Sequence, residues 1–214
     1  MTNWYRKKTW TKNDEEEFFM KLNKAKKESR AQYLKVQAIE LVETKNTRLL
    51  DVAETLLNKL LLEYPDNNIE KSPSLNTIGD IYKYRGNYDL AIDYYKKAID
   101  FEEIFPNVLT QAYLEFSELA LKLKKENYYA FAEQIMSKRI EHILFPLEKY
   151  KAFSILSILN QLKGNVEKAE QFGLLAEQNA NAKTSGLKYH KDLGIVKERN
   201  NWLDKIVNRK KTDG

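Results

Sequence analysis

Few side chains in this sequence are of the types that catalysis or metal binding requires. The chain has no cysteine, and its two histidines, His142 and His190, lie far apart. Without cysteine there is no disulfide, no thiolate metal site and no cysteine nucleophile. Glu141 and His142 are neighbours, but adjacent residues of a helix point in different directions and do not act as a pair. The sequence also lacks the spacing of histidines and carboxylates that is typical of a zinc site.

Motifs that bind nucleotides or activate a serine are missing as well. None of the motifs GxSxG, GxxxxGK[ST] and GxGxxG occurs. Their absence argues against the hydrolases and nucleotide-binding proteins that carry a recognisable motif. Carboxylate pairs such as Glu102-Glu103 are expected by chance among 31 acidic residues. The pair Tyr94-Tyr95 suits helix packing better than base stacking. We therefore expect a protein that is not an enzyme and that uses no cofactor or metal.

The composition indicates an elongated helical protein. Of the 214 residues, 43% are hydrophobic and 31% are charged, and there are only 7 glycines and 4 prolines. Such a chain has much surface per residue and little material for the turns of an all-β fold. No segment approaches the roughly 20 apolar residues of a membrane span, and the N-terminus lacks the apolar core of a secretory signal. We expect a cytoplasmic protein without a membrane partner.

The charge balance leaves one alternative open. The net charge is +5, from 36 basic and 31 acidic side chains. A basic excess this small is not by itself typical of a nucleic-acid-binding protein. Basic residues do cluster on the predicted N-terminal helix, so nucleic-acid association through that helix is kept as the alternative function. The cluster consists of Lys21, Lys24, Lys26, Lys27 and Arg30.

Residues 75–98 predict two helices folded against each other. The first helix presents the small residue Gly79 on its apolar face, and the second presents Ala91, Tyr95 and Ala98 at helical spacing. Gly79 and Ala91 are small, which allows two helix backbones to approach closely, while the aromatic ring fills the remaining gap. One such pair cannot bury its apolar face alone, so neighbouring copies are expected.

This spacing resembles the tetratricopeptide repeat (TPR), which has a small residue on its first helix and an Ala-x3-aromatic-x2-Ala pattern on its second. The corner Gly86-Asn87-Tyr88 recurs as Gly164-Asn165-Val166. The resemblance implies about four repeats in a repeat domain over residues 31–178. Two registers remain open for the second helix of the third repeat. The expected repeats are 31–65, 72–103, 107–142 and 149–178.

Local signals place the ends of the second repeat. The stretch Pro65-Asp66-Asn67-Asn68 predicts a turn. Pro73 then stands near the first helical position, with Ser72 as its cap. Pro106 comes three residues later than the family pattern has its closing proline, so we expect the second helix to extend by most of a turn.

The predicted fold is all-α: a right-handed superhelical solenoid of TPR-like helical hairpins with capping helices at both ends. Residues 1–30 supply an aromatic and basic segment followed by a capping helix over about 12–29. Thr11 and Asp14 predict a capping box at its start. We expect the rings of the N-terminal segment to pack on the first repeat or on a second molecule, because tryptophan favours burial. Those rings belong to Trp4, Tyr5 and Trp10.

The C-terminal cap is expected over residues 184–210. Residues 187–210 have the pattern of one amphipathic helix. Gly173 replaces the large aromatic residue of the second repeat, which leaves room for that last helix to pack there. The terminal helices also offer a route to a homodimer.

In TPR proteins the first helices of successive pairs line a concave groove where ligands lie as extended or helical peptides. The resemblance therefore implies a non-catalytic, cytoplasmic, bacterial scaffold that binds a protein or peptide on this surface. An adaptor and an inhibitor of immunity type both fit. Ile39 stands where chaperone-binding TPR domains have a clamp asparagine, so that clamp is not expected. By matching positions, the groove residues are Lys35, Ile39, Asn76, Asp80, Lys83, Tyr84, Leu114, Glu118, Lys122, Ser154, Ile158 and Gln161.

Overall fold

The computed structural model describes residues 4–207. Within that range the regular structure is helical throughout, with ten α-helices and two short 3-10 turns and no strand, which confirms the all-α prediction. The chain divides into two compact units, Met1–Ala112 and Tyr113–Gly214. The helices that begin in the first unit are α1 (Lys12–Lys24), α2 (Lys27–Val42), α3 (Thr47–Glu63), α4 (Asn68–Tyr84), α5 (Tyr88–Ile104) and α6 (Ala112–Lys122). Those that begin in the second are α7 (Tyr129–Arg139), α8 (Pro146–Leu162), α9 (Val166–Ala180) and α10 (Asn201–Ile206).

Helix α1 begins with the predicted capping box. The Thr11 hydroxyl accepts from the Asp14 N–H, and the Asp14 carboxylate accepts from the Thr11 N–H at 2.9 Å. The Lys7 ammonium, 2.8 Å from Asp14 Oδ1, together with the Thr11 donors holds the pKa of Asp14 below its usual range. The helix ends at Lys24, earlier than predicted, because Ala25 is extended.

The N-terminal aromatic residues pack on the first repeat of the same chain, as predicted. The Trp4 ring lies 5.4 Å from Phe18 of α1 and 5.1 Å from Tyr33 of α2, measured between ring centroids. Gln37 of α2 forms hydrogen bonds with the backbone of this segment. Its side-chain oxygen accepts from the Lys7 N–H at 3.1 Å, and its amide nitrogen donates to the Lys7 carbonyl at 2.7 Å.

Two helical hairpins, α2–α3 and α4–α5, pack side by side in the first unit. Apolar residues at helical spacing are buried in both hairpins, and they include the predicted Ala91, Tyr95 and Ala98 of α5. The glycine of α4 touches the tyrosine of α5, because a Cβ on Gly79 would lie 2.5 Å from Tyr95 Cε1. Fully buried residues of the two hairpins include Leu34, Ala38, Leu41, Ala53, Leu57, Leu60, Ile78, Ala91, Tyr95 and Ala98.

Polar contacts join the two hairpins at one edge. Arg85 donates to Glu54 of α3 at 2.6 Å and to Asp51 at 2.5 Å. The Tyr82 hydroxyl donates to the same Glu54 carboxylate at 2.6 Å. The bond to this carboxylate, together with partial burial, raises the pKa of Tyr82 to about 12.

The helical hairpins turn through one shared backbone conformation. In each hairpin, a residue two or three positions after the end of the first helix has a positive φ: Lys45 (54°), Gly86 (74°), Lys124 (54°) and Gly164 (76°). In this left-handed position the chain closes the preceding helix, as in the bonds from the Asn87 N–H to the Tyr82 carbonyl and from the Gly86 N–H to the Lys83 carbonyl. The predicted equivalence of the Gly86 and Gly164 corners is confirmed.

The predicted start of α4 is wrong. The helix begins at Asn68, where the Asn67 side chain accepts from the Glu70 N–H, and Pro73 lies inside it. Ser72 does not cap the helix, because its hydroxyl donates to the buried carboxylate of Glu102, at 2.5 Å. Helix α5 continues to Ile104, which agrees with the expected extension.

The structure decides the register of α7. Ala132 and Met136 are fully buried and take the places that Ala91 and Tyr95 have in α5, while Ala130 is exposed. Arg139 follows where α5 has Ala98, and its guanidinium lies 5.1 Å from the Tyr113 ring centroid.

The prediction of one helix over residues 187–210 is wrong. Residues 181–200 contain no helix, α10 spans only Asn201–Ile206, and residues 208–210 lie outside the described part of the chain. Gly194 interrupts the pattern: its φ is +69°, and the Phe145 ring occupies the space of its missing Cβ. Val207 reaches Gly173, as a Cβ there would lie 3.3 Å from Val207 Cγ1. The space beside Gly173 is thus filled by the C-terminal part of the chain, as expected.

Candidate functional site

The predicted binding residues of the first unit lie on the first helices of its two hairpins. Helix α2 packs on α4, which brings the six residues onto one face, called here the α2–α4 surface. All six are partly or largely accessible to solvent. They are Lys35, Ile39, Asn76, Asp80, Lys83 and Tyr84.

Lys35 is used within the fold. Its ammonium lies 2.5 Å from Glu70 Oε2, and the Glu70 side chain is only 8% exposed. A carboxylate this deeply buried requires a paired cation, so Lys35 joins α2 to α4 and neutralises Glu70. Its positive charge is therefore largely compensated at this surface.

Asp80 and Asn76 form a polar patch one turn apart on α4. Asp80 Oδ1 accepts from the Tyr95 hydroxyl at 2.7 Å and lies 3.5 Å from Lys83 Nζ. The Asn76 amide nitrogen lies 3.5 Å from Asp80 Oδ2. The Asn76 side-chain oxygen has no hydrogen-bond partner among the residues described. Because this oxygen is itself buried, it is not open to a partner in this conformation.

Tyr84 is the exposed aromatic residue of this surface. Its side chain is 42% exposed. The ammonium groups of Lys45 and Lys83 lie 5.3 and 5.6 Å from its ring centroid. Sequence reasoning missed Lys45. The available signal was a lysine at the α2–α3 corner, where the α4–α5 and α8–α9 corners have Gly86 and Gly164. The arrangement offers an apolar ring beside two positive charges.

Three of the predicted residues of the second unit are buried. Leu114 is 1% exposed, Ser154 0% and Ile158 3%. The Ser154 hydroxyl donates to the Tyr150 carbonyl at 2.6 Å, within its own helix. Their side chains therefore do not lie on an open surface, whereas Gln161 does.

Glu118 and Lys122 of α6 contact residues 199–207, called here the C-terminal segment. Glu118 Oε1 accepts from the Asn200 amide at 2.9 Å and from Lys122 Nζ at 2.5 Å. Lys122 Nζ lies 5.2 Å from the Trp202 ring centroid. Part of the predicted groove is thus occupied by the chain itself.

Arg199 anchors the C-terminal segment on α9. Its guanidinium donates to both oxygens of Glu177, at 2.9 and 2.5 Å, and to Asp204 at 2.7 Å. These two carboxylates raise the pKa of Arg199, so its charge is fixed. The Tyr150 hydroxyl accepts from the Asn200 N–H at 3.0 Å and donates to Asp204 at 2.9 Å. None of these contacts was predicted from the sequence.

Comparison with protein-family models identifies the repeat. The tetratricopeptide repeat model matches residues 72–103, which are the limits predicted for the second repeat and run from α4 into α5. Residues 72–103 therefore form a tetratricopeptide repeat. Searches of curated proteins and of solved structures gave no significant match. The number of repeats and a bacterial origin stay predictions.

The basic residues predicted on one N-terminal helix are divided between two helices and are partly engaged by the fold. Lys21 and Lys24 lie on α1, whereas Lys27 and Arg30 lie on α2. Lys21 pairs with Glu17 at 2.7 Å, and Arg30 donates to the carbonyls of Asn23 and Ala25 at the end of α1. Lys24, Lys26 and Lys27 are exposed, as the alternative function requires.

Among residues 4–207, no three or more histidine and acidic side chains are grouped closely enough to bind a metal ion. In the same range no helix combines the length and apolar character that crossing a bilayer requires.

Proposed function

We propose that this protein is a non-catalytic scaffold that binds another protein or a peptide, with the α2–α4 surface as its open binding face. The main support is the exposed Tyr84 ring between the ammonium groups of Lys45 and Lys83. Tyrosine is enriched among residues that dominate binding energy, since it offers apolar area and a polar tip. Asn76, which is partly exposed, adds a polar side chain one turn before Asp80.

The charges of this face define the partner more closely. Lys35 and Asp80 are held by contacts within the fold, so they shape the surface. The two lysines beside Tyr84 favour a partner segment that carries a carboxylate next to an apolar side chain. Ile39 supplies an aliphatic contact on α2. Among the predicted second-unit residues, Gln161 is exposed, while Glu118 and Lys122 contact the C-terminal part of the chain. Leu114, Ser154 and Ile158 are buried and are not proposed as contacts.

Affinity capture from the native host followed by mass spectrometry tests this proposal. Tyr84→Ala and Asn76→Ala should each reduce recovery of the partner at least about tenfold, as truncation of a dominant contact does. The matched control is Tyr88→Ala, because Tyr88 is also 42% exposed but begins α5. A partner lost equally with Tyr88→Ala, or retained with both test variants, contradicts the assignment of this face.

Two measurements separate the remaining alternatives. A salt series distinguishes a protein partner from nucleic acid, because contacts to phosphates lose affinity steeply as salt rises. The area buried in the complex distinguishes a dedicated inhibitor, which should bury well over about 1,000 Å², from a peptide adaptor. Cytoplasmic location and a homodimer through the terminal helices stay predictions; light scattering tests the second.

A further inference from the structure

The C-terminal segment is ordered by what it contacts. Helix α10 has six residues, and a helix this short is not stable alone in water. The Asn200 side chain caps it by accepting from the N–H groups of Trp202 and Leu203, and the Leu203 side chain is fully buried. The segment therefore has the character of a short peptide bound to a preformed surface.

The surface that receives the segment contacts three of its features. Glu177 receives Arg199 through two hydrogen bonds, a geometry that favours arginine over lysine. Glu118 and Tyr150 bind the side chain and the backbone of Asn200. The apolar features are the buried Leu203 and Val207, the second of which lies against Gly173.

The tether permits the segment to leave without unfolding its support. Residues 181–200 contain no helix or strand. The backbone contact from α8 to this stretch is the bond from the Leu147 N–H to the Gly194 carbonyl, at 2.8 Å. Helices α8 and α9 pack directly on each other. Release of the segment therefore requires the contacts of residues 196–207 to break. These include the packing of Val196, the bond from the Asn200 N–H to the Tyr150 hydroxyl and the burial of Leu203.

We propose that the C-terminal segment is an internal ligand of the second unit, on a site that also binds a partner segment of the same chemistry. That partner is a polypeptide with an Arg-Asn pair at the start of a short helix, a leucine four residues after the arginine and a small aliphatic residue eight after it. The inference rests on the proposed function, since it names a partner class for the second-unit part of the groove. Partner and internal segment exclude each other.

A synthetic peptide of residues 195–207, labelled with a fluorophore, tests the site in the full chain. A full-length variant with Asn200→Ala and Trp202→Ala weakens the internal competitor, because it loses the contacts to Glu118 and Lys122. The peptide should bind this variant with a dissociation constant at least about tenfold below that for the unchanged chain, because a tethered competitor acts at high effective concentration. A peptide carrying Arg199→Ala should bind the variant at least about tenfold more weakly. Circular dichroism checks that the variant stays helical.

Hydrogen exchange on the unchanged chain gives a second readout that needs no variant. Excess peptide should raise exchange in residues 199–207 while α8 and α9 stay protected. Equal affinity for both forms, no binding to either, or unchanged exchange overturns the proposal. Dimers of the unchanged chain that the peptide dissociates would identify a second copy as the occupant and would also overturn it.

The two proposals fail in different ways. Loss of the α2–α4 assignment appears as a captured partner that ignores Tyr84→Ala, and it leaves the peptide result unaffected. Failure of the internal-ligand proposal appears in the peptide titration and in the exchange of residues 199–207. Glu177→Gln should weaken peptide binding by the variant without changing any partner that depends on Tyr84, because Glu177 lies in the second unit.

Discussion

The second hairpin, α4–α5, and the fourth, α8–α9, fill the space between their two helices in different ways. In α4–α5, the small residue Gly79 is on the first helix and the large Tyr95 is on the second, and the ring fills the space that a Cβ would need. In α8–α9, Ser157 stands at the position of Gly79 and Gly173 at that of Tyr95. Val207 supplies the missing volume there. One hairpin is completed by its own side chain, the other by a distant segment.

This difference separates permanent from removable packing. Tyr95 is fully buried and its hydroxyl donates to Asp80, so it is fixed at both ends. Val207 ends a six-residue helix attached through a stretch without helix or strand. Well-packed cores resist small changes in volume, whereas a docked segment can shift or leave. We therefore expect equivalent substitutions in the two hairpins to differ in effect.

The largest expected effect comes from Gly79→Ala. The added Cβ would lie 2.5 Å from Tyr95 Cε1 and 2.6 Å from Cδ1. Because Tyr95 cannot move aside, the free energy of unfolding of the first unit should fall by about 1–3 kcal/mol. Hydrogen exchange of the α4 and α5 amides measures it. A smaller loss than that from Gly173→Ala would show that Tyr95 is not a fixed wedge.

The corners should give equal, intermediate effects in both hairpins, since they share one backbone conformation. Gly86→Ala and Gly164→Ala add a Cβ that meets no atom within 4 Å, so only the positive φ opposes them. Each should lower the local free energy of unfolding by about 1 kcal/mol. Lys124→Gly should raise stability by up to about 1 kcal/mol for the same reason. Local hydrogen exchange tests all three, and a loss at only one glycine would contradict the equivalence.

The smallest effect on stability is expected from Gly173→Ala. Its Cβ would lie 3.3 Å from Val207 Cγ1 and 3.5 Å from Ser157 Oγ, so Val207 needs to move by only a few tenths of an ångström. The helix propensity of alanine, about 1 kcal/mol better than that of glycine, offsets the strain. The free energy of unfolding of α8–α9 should change by less than about 1 kcal/mol, while exchange in residues 203–207 rises. Unchanged exchange there would contradict the contact.

Local spacing sufficed to predict the hairpins. The Ala91, Tyr95 and Ala98 positions repeat within one helix, and Gly86 marks the turn by its residue type, so the sequence contains both signals within a few residues. The start of α4 was missed because the Ser72 hydroxyl has a partner 30 residues away. A good local cap was available, but the tertiary contact decided the position.

The C-terminal segment could not be predicted from local patterns. Its apolar residues fit a helical period, which indicated one long helix over 187–210. Gly194 and the packing of Phe145 stop that helix, and no propensity scale contains that contact. The bond between Asn200 and Glu118 joins residues 82 positions apart. The burial of Leu114, Ser154 and Ile158 also depends on tertiary contacts. Matching single positions to the repeat pattern therefore could not predict it.

The hydrogen bonds between Gln37 and residue 7 affect which substitutions the N-terminal segment tolerates at that position. Both hydrogen bonds involve the peptide group of Lys7 and not its ammonium. The amide of Gln37 thus acts like the edge of a neighbouring strand, indifferent to the identity of the side chain it meets. These two bonds tolerate any side chain at position 7 except that of proline, which has no N–H to offer. Selection for lysine at this position comes instead from its ammonium, which pairs with Asp14 and Glu17.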